Sequence, residues 1–244
     1  MSRAIEISDE FLAQLKDDLV CRRVGSGMAR IDQHRLFFAD LDPETNNAGR
    51  LLGYLAQWVD LGYDRPALIE ELLRRFPQPI RGRLALLDYL YLRMAEGMLA
   101  MVEESTAEAV RHFDAVLNLA GETADQELLA IAVFWKGRCC RMKGEYDQAL
   151  ALAVQGREVA EGLHHQPMAA VSRVLESWLR FQKGDAKQAV EILQAAECVL
   201  RQTDDYDLRQ YLFFLRPHCA SSGPLPARHR QFLDRHRALQ KARP

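Results

Sequence analysis

The chain has 244 residues, of which 48% are hydrophobic and 27% are charged, and its formal net charge is −2. This composition is typical of a chain that can bury a sizeable core, and it excludes a disordered protein. Charged residues interrupt every apolar stretch, which argues against a membrane span, a cleaved signal peptide and a uniformly basic nucleic-acid binder. Five cysteines, two of them adjacent, do not suggest a disulfide framework, so we expect a reducing, cytoplasmic compartment.

Residues 1–47 are predicted to form N-terminal helices that pack on the rest of the chain. Residues 8–23 have the pattern of an amphipathic helix capped by Ser8. Gly25-Ser26-Gly27 is expected to break this helix, and residues 30–40 to form another short one. The apolar face of the first helix consists of Phe11, Leu12, Leu15 and Leu19.

Residues 48–83 are predicted to form a degenerate helical hairpin. Pro66 is expected near the start of its second helix, where a missing N–H costs little. Pro77 and Pro79 are expected to end that helix.

Residues 84–202 contain an internal repeat with a step of 40 residues. Within each unit the apolar positions recur every three and four residues, which predicts two helices separated by a short break. Each unit is therefore predicted to be an antiparallel hairpin whose helices approach where their side chains are small. Gly144 and Gly184, also 40 residues apart, are expected to end the first helices in the left-handed conformation. The repeated small residues are Gly97, Gly137 and Ser177 in the first helices and Ala109, Ala149 and Ala189 in the second.

The repeat pattern stops in residues 203–244. From Arg216 to the end there are seven lysines and arginines against one aspartate, so this segment is basic. Three interpretations stay open: a capping helix over residues 227–241 after a loose linker, a basic tail for an acidic partner, or an out-of-frame reading of a repeat-coding gene.

The repeat resembles the tetratricopeptide repeat family. The resemblance is clearest in Trp135-Lys136-Gly137 followed by Gly144-Glu145-Tyr146-Asp147-Gln148-Ala149, which keeps that family's order of small residue, glycine, aromatic and alanine. Glu104 replaces the turn glycine in the first unit. The 40-residue step resembles the long-repeat variants of bacterial sensors and regulators. The resemblance implies an all-α fold, a right-handed superhelix of antiparallel helical hairpins.

The resemblance also implies a binding site on the concave face that the first helices line. Aromatic, methionine and arginine side chains at these inner positions are residue types that anchor interfaces, although a methionine stripe on a helix is equally typical of core. Arg138 and Arg141, three residues apart, could pair a carboxylate or phosphate. The predicted partner-binding residues are Tyr91, Met94, Met98, Phe134, Arg138, Arg141, Trp178 and Phe181.

The sequence contains no recognisable catalytic motif, so we expect a non-enzymatic scaffold that binds a protein segment or peptide, without direct contact to nucleic acid or membrane. The alternative is a sensor module of a bacterial regulator that binds a peptide or small-molecule inducer. No cofactor or metal is predicted. Gly25-Ser26-Gly27 does not form a dinucleotide-binding motif, because Arg30 stands where the third glycine of that motif is required. His164-His165 lacks the further ligands that a metal site needs. Cys139-Cys140 suits helix packing better than redox chemistry.

Overall fold

The structure is a computed structural model that describes residues 7–34, 38, 41–61 and 66–205. All regular secondary structure within these residues is helical, and no strand occurs among them, in agreement with the all-α prediction. None of their helices is both long and apolar enough to cross a membrane. The helices are α1 (Asp9–Val20), α2 (Val24–Gln33), α3 (Ala48–Asp60), α4 (Pro66–Arg74), α5 (Gln78–Arg81), α6 (Leu86–Val102), α7 (Thr106–Leu119), α8 (Gln126–Met142), α9 (Tyr146–Gly162), α10 (Gln166–Gln182) and α11 (Ala186–Leu200), with a 3-10 turn at Ala120–Glu122.

Helix α1 begins at its predicted cap. The Ser8 hydroxyl accepts a hydrogen bond from the backbone N–H of Phe11 at 3.2 Å. Leu12, Leu15 and Leu19 are at most 3% exposed and belong to the main hydrophobic core. The cap and the leucine spacing therefore specify α1 from local sequence, and its apolar face packs into the rest of the protein.

The prediction that Gly25-Ser26-Gly27 separates two helices is wrong, because these residues lie in the first turns of α2. The carboxylate of Asp204 accepts hydrogen bonds from the backbone N–H groups of Val24 and Gly25, the second at 2.9 Å. A Cβ atom at Gly27 would lie 2.2 Å from the Trp58 ring, so the glycine permits close packing. The cap that starts α2 comes from a residue 180 positions away, which no local pattern could indicate.

Helix α2 covers the first four residues of the segment predicted as a helix over residues 30–40 and ends at Gln33. Phe38, in the same segment, is also helical. Residues 35–37 and 39–40 lie outside the described part of the chain.

Helices α3 and α4 occupy the segment of the predicted degenerate hairpin, and α4 begins at Pro66 as expected. The principal partner of α3 is α6. A Cβ atom at Gly53 would lie 2.5 Å from the carbonyl oxygen of Tyr91, and one at Gly49 would lie 2.4 Å from that of Asp88. These two glycines, one helical turn apart, bring α3 into backbone contact with α6.

The 40-residue step is present in the helix boundaries. The first helices α6, α8 and α10 begin at residues 86, 126 and 166, and the second helices α7, α9 and α11 begin at residues 106, 146 and 186. Each first helix packs extensively on the second helix that follows it. The structure therefore contains three consecutive helical pairs in register with the sequence repeat.

The small residues lie at the helix crossings. Ala109, Ala149 and Ala189 are fully buried. The Ser177 hydroxyl donates a 2.7 Å hydrogen bond to the carbonyl oxygen of Ala189, the alanine 12 positions later. A Cβ atom at Gly137 would lie 3.4 Å from side-chain atoms of Leu152 and Leu175, in van der Waals contact with both.

The three turns within the hairpins share one backbone geometry. Glu104, Gly144 and Gly184 have φ angles of 61°, 80° and 89°. The next residue of each turn donates its N–H to the carbonyl five residues earlier, at 2.8 to 2.9 Å, as in the Schellman motif. Glutamate thus adopts in the first unit the left-handed conformation that glycine adopts in the other two.

This shared geometry predicts opposite effects of two substitutions. Gly144→Ala is expected to destabilise the protein by about 1 kcal/mol, since a Cβ atom is strained at this φ angle. Glu104→Gly is expected to stabilise it by about 0.5 kcal/mol, because relief of strain exceeds the entropy cost of glycine. Urea unfolding of both variants measures the two effects. Changes of the same sign would show that the turns are not equivalent.

The last described residues, 203–205, return to the N-terminal helices. The Thr203 hydroxyl donates a 2.6 Å hydrogen bond to the carbonyl oxygen of Arg22, and Asp204 caps α2. The predicted capping helix and the basic segment after Arg216 lie outside the described residues.

Candidate functional site

The predicted binding residues of α6 are buried. Tyr91 and Met94 are 0% exposed and Met98 is 1% exposed, so none of them lines a surface. The cause is α3, which packs on α6 and places Tyr54 edge-on against Tyr91 with ring centroids 4.7 Å apart. The core interpretation of the methionines therefore holds in this structure, and the expectation of a surface at these three positions is corrected.

Arg138 is partly exposed on α8 and is paired within the chain. Its guanidinium forms an ion pair with Asp60 of α3 and lies over the Trp135 ring, 5.0 Å from the centroid. The Trp135 indole is itself buried and donates a 3.0 Å hydrogen bond to Gln57. A carboxylate of this chain thus occupies the position at which the sequence suggested a carboxylate or phosphate ligand.

Arg141 lies over a different indole ring. Its guanidinium carbon is 5.2 Å from the centroid of Trp178, and Tyr146 meets the same ring edge-on at 5.8 Å. Met142 and Tyr146 are among the few large apolar side chains with high exposure, 46% and 39%. We call Arg141, Met142, Tyr146 and Trp178 the Trp178 patch. Its residues come from the last turn of α8, the first turn of α9 and the C-terminal part of α10.

Two members of the Trp178 patch, Met142 and Tyr146, were not predicted as binding residues. Tyr146 appeared only as the aromatic residue of the repeat, and Met142 precedes the Lys143-Gly144 break. The turn brings Tyr146 beside Trp178, and Met142 is exposed next to Arg141 in the sequence. Their positions next to the turn at Gly144 are the sequence feature that could have identified them. Phe181, the remaining predicted residue of α10, is partly buried against a small core cluster.

The remaining predicted residue, Phe134, lies under the N-terminal segment. We call the surface of α8 and α10 formed by Ala130, Ile131, Phe134, Met168 and Val171 the first-helix face. Leu19, Val20 and Arg22 border a narrow cleft together with these residues. The cleft has a volume of about 30 Å³, room for roughly two water molecules, and Leu19 and Val20 at the end of α1 form part of its wall.

An ion-pair cluster joins α1 to the start of α8. The Lys16 ammonium lies 2.8 Å from Asp125 and 2.6 Å from Glu127. Burial lowers the pKa of Lys16, but Asp125, Tyr54 and Glu127 together outweigh this effect, and the pKa is raised overall. The Tyr91 hydroxyl donates a 2.8 Å hydrogen bond to the second Asp125 oxygen, and burial raises the pKa of that phenol well above its usual value.

The adjacent cysteines have structural positions. Both thiols are buried in α8, and burial raises the pKa of Cys139 to about 12 and also raises the pKa of Cys140. Thiols with raised pKa values carry little thiolate at neutral pH and react slowly. Packing, rather than redox chemistry, is the role this arrangement supports.

The adjacent histidines also serve the fold. His165 is the N-cap of α10, and its Nδ1 atom accepts a hydrogen bond from the N–H of Met168 at 3.3 Å. His164 occupies the left-handed turn position with a φ angle of 54°. Among the described residues, no three histidine, cysteine or acidic side chains are grouped to hold a metal ion.

Comparison of the chain with protein-family models, curated proteins and solved structures finds no match. The arguments for function therefore come from the residues and contacts described above.

Proposed function

We propose that this chain is a non-enzymatic adaptor of the tetratricopeptide-repeat type. In this proposal the helical pairs stack into a right-handed superhelix, and a protein segment or peptide binds to the side that the first helices line. The observation that carries the proposal is the Trp178 patch, which lies within a regular array of hairpins. The 40-residue register of helix starts supports the repeat assignment.

The Trp178 patch has the composition of an interface anchor. Tryptophan, tyrosine and arginine contribute more than other residue types to binding energy, and methionine adapts its shape to irregular apolar partners. Tyr146 and Arg141 hold the indole ring from two sides, so little side-chain freedom is lost when a partner covers it. A peptide suits this open patch better than a small-molecule inducer, which needs a concave pocket.

Alanine substitutions in the Trp178 patch test the proposal. Trp178→Ala and Arg141→Ala are each expected to weaken partner capture by about 30-fold, the equivalent of a lost interface anchor. Val102→Ala is the matched control, because Val102 is an exposed apolar residue of α6, 40% exposed, outside the patch. Capture by each full-length variant from a lysate is quantified by mass spectrometry.

Thermal unfolding of the same samples separates binding from stability. Arg141→Ala is expected to have a melting temperature close to that of the original protein. A loss of partner capture by this variant would therefore reflect damage to the binding surface and not unfolding. Capture that survives both patch substitutions in folded protein would contradict the proposal. The basic segment after Arg216 would then be the next place to test.

A further inference from the structure

Arg22 is a buried cation whose guanidinium lacks hydrogen-bond acceptors. It is 9% exposed, and no other lysine or arginine among the described residues is buried as deeply. Its guanidinium makes no hydrogen bond or ion pair with a described residue. Burial lowers its pKa, Asp205 and Asp60 oppose this effect through their charge, and Arg138 adds to it. The two aspartates therefore compensate part of the charge but accept none of the guanidinium N–H groups.

Another buried charge shows the arrangement that Arg22 lacks. Glu176 is 2% exposed, and its two carboxylate oxygens lie 3.0 Å from the Arg157 guanidinium and 2.9 Å from that of Arg180. Buried charges and their polar atoms ordinarily have hydrogen-bonded partners of this kind, because their loss of water is otherwise uncompensated. The Arg22 guanidinium is thus a donor group with unused capacity.

The unused donors lie at the narrow cleft beside the first-helix face. The Arg22 guanidinium carbon is 5.6 Å from the centroid of Phe134 and 5.9 Å from that of Trp135, and both rings line the cleft. Gln57, a second polar residue of the lining, accepts the Trp135 indole N–H and donates to the carbonyl of Gly53. Among the described residues, Arg22 is the only charged one that lines the cleft.

The turn after α1 fixes Arg22 in this position. Its φ angle is 54°, and the N–H of Arg23 bonds to the carbonyl of Asp18, five residues earlier, at 2.9 Å. This is the Schellman geometry of the hairpin turns, in which glycine is the usual residue at the left-handed position. The carbonyl of Arg22 also accepts the hydrogen bond from Thr203. Backbone strain held in place by surrounding contacts is typical of binding sites.

The size and lining of the cleft define the ligand that would fit. Its volume of about 30 Å³ holds roughly two water molecules, about the space that an acetate ion needs. Ala130, Ile131, Met168 and Val171 form an apolar wall that suits a methyl or methylene group. A carboxylate provides a negative charge and two oxygen atoms in the plane in which a guanidinium donates.

We propose that the cleft is a binding site for a small aliphatic carboxylate of the size of acetate or propionate, with Arg22 as its charged anchor. The carboxylate replaces water at the guanidinium, and the carbon chain of the ligand contacts the apolar wall. An acidic side chain of another protein carries the same group, but its backbone needs an approach that the small, largely buried cleft does not offer. The site is separate from the Trp178 patch, so this inference goes beyond the proposed function and does not depend on it.

Equilibrium dialysis of the full-length chain against radiolabelled acetate tests the inference. The original chain is expected to show saturable binding, and Arg22→Gln to weaken it about tenfold, because a charged pair of hydrogen bonds is lost. Arg74→Gln is the matched control, since it makes the same change at a side chain of α4 that is 66% exposed and lies outside the cleft. Its acetate affinity is expected to equal that of the original chain. Absence of saturable binding to the original chain, or equal affinity of both variants, would overturn the inference.

Competition with the labelled acetate defines the chemistry of the ligand. Propionate is expected to compete, whereas acetamide, a neutral molecule of nearly the same shape as acetate, is not. Aspartate with its backbone groups blocked as amides carries the carboxylate on a protein-like backbone and is expected to compete about tenfold less effectively than propionate. Equal competition by acetamide and propionate would overturn the role of charge. Stronger competition by the blocked aspartate would overturn the assignment to a free carboxylate.

Nuclear magnetic resonance of the original chain supplies a measurement that does not depend on the folding of a variant. Acetate is expected to shift the side-chain Nε–H signal of Arg22 and the amide signals of Ala130 and Val171, whose residues line the cleft. The amide signals of α4 are expected to stay in place. Shifts confined to residues outside the cleft would overturn the inference, because acetate would then bind elsewhere.

Discussion

Gly53→Ala is expected to lower the free energy of unfolding by about 3 kcal/mol. The added Cβ atom would lie 2.5 Å from the carbonyl oxygen of Tyr91 and 2.7 Å from its Cβ atom. The positions of a carbonyl oxygen and a Cβ atom are fixed by the backbone of α6. The steric clash is therefore relieved only if α3 and α6 move apart. Separation would also disturb Tyr54, which packs edge-on against Tyr91.

Gly162→Ala is the matched control for Gly53→Ala. Gly162 is the last residue of α9, and a Cβ atom there would meet nothing within 4 Å. This variant is expected to unfold at the same urea concentration as the original protein or slightly higher, because alanine favours the helix. Equal midpoints for the two variants would mean that α3 does not approach α6 at Gly53.

Trp135→Ala is expected to destabilise the protein by about 3–5 kcal/mol, the usual loss for a large buried aromatic side chain. Trp135 is 1% exposed, and its indole N–H donates to the side-chain oxygen of Gln57. The Gln57 amide in turn donates a 3.1 Å hydrogen bond to the carbonyl oxygen of Gly53. This chain of contacts connects α8 with α3 through buried polar groups.

A double-mutant cycle isolates the polar contribution from the apolar one. Trp135→Phe keeps most of the ring but leaves the Gln57 oxygen without its donor, at a cost of about 1–3 kcal/mol. Gln57→Leu likewise leaves the indole N–H unpaired. The double variant is expected to lose less free energy of unfolding than the two single variants lose together. In the double variant neither an unpaired Gln57 oxygen nor an unpaired indole N–H remains. Strict additivity in urea unfolding would show that the two side chains are not coupled.

The sequence alone determined the features that depend on neighbouring residues. The 40-residue step located the paired helices, and the Ser8 cap and the left-handed glycines marked helix ends correctly. Capping, helical periodicity and turn conformation are decided within a few residues, so the sequence pattern carries them directly. Part of the candidate site could be predicted from the same 40-residue repeat. Arg141 and Trp178 lie on the first helices that the repeat located, and both are partly exposed in the structure.

Only the tertiary structure decided which helix faces are covered and by what. Asp204 sets the start of α2, and α3 buries Tyr91 and the methionines of α6 through contacts between segments distant in sequence. Helical periodicity identifies an apolar face but not the element that packs on it, because burial depends on long-range arrangement. For the same reason, the sequence did not indicate that Arg22 lies over Phe134. That contact depends on the path of the chain between α1 and α8, and it decides which part of the predicted binding surface is open.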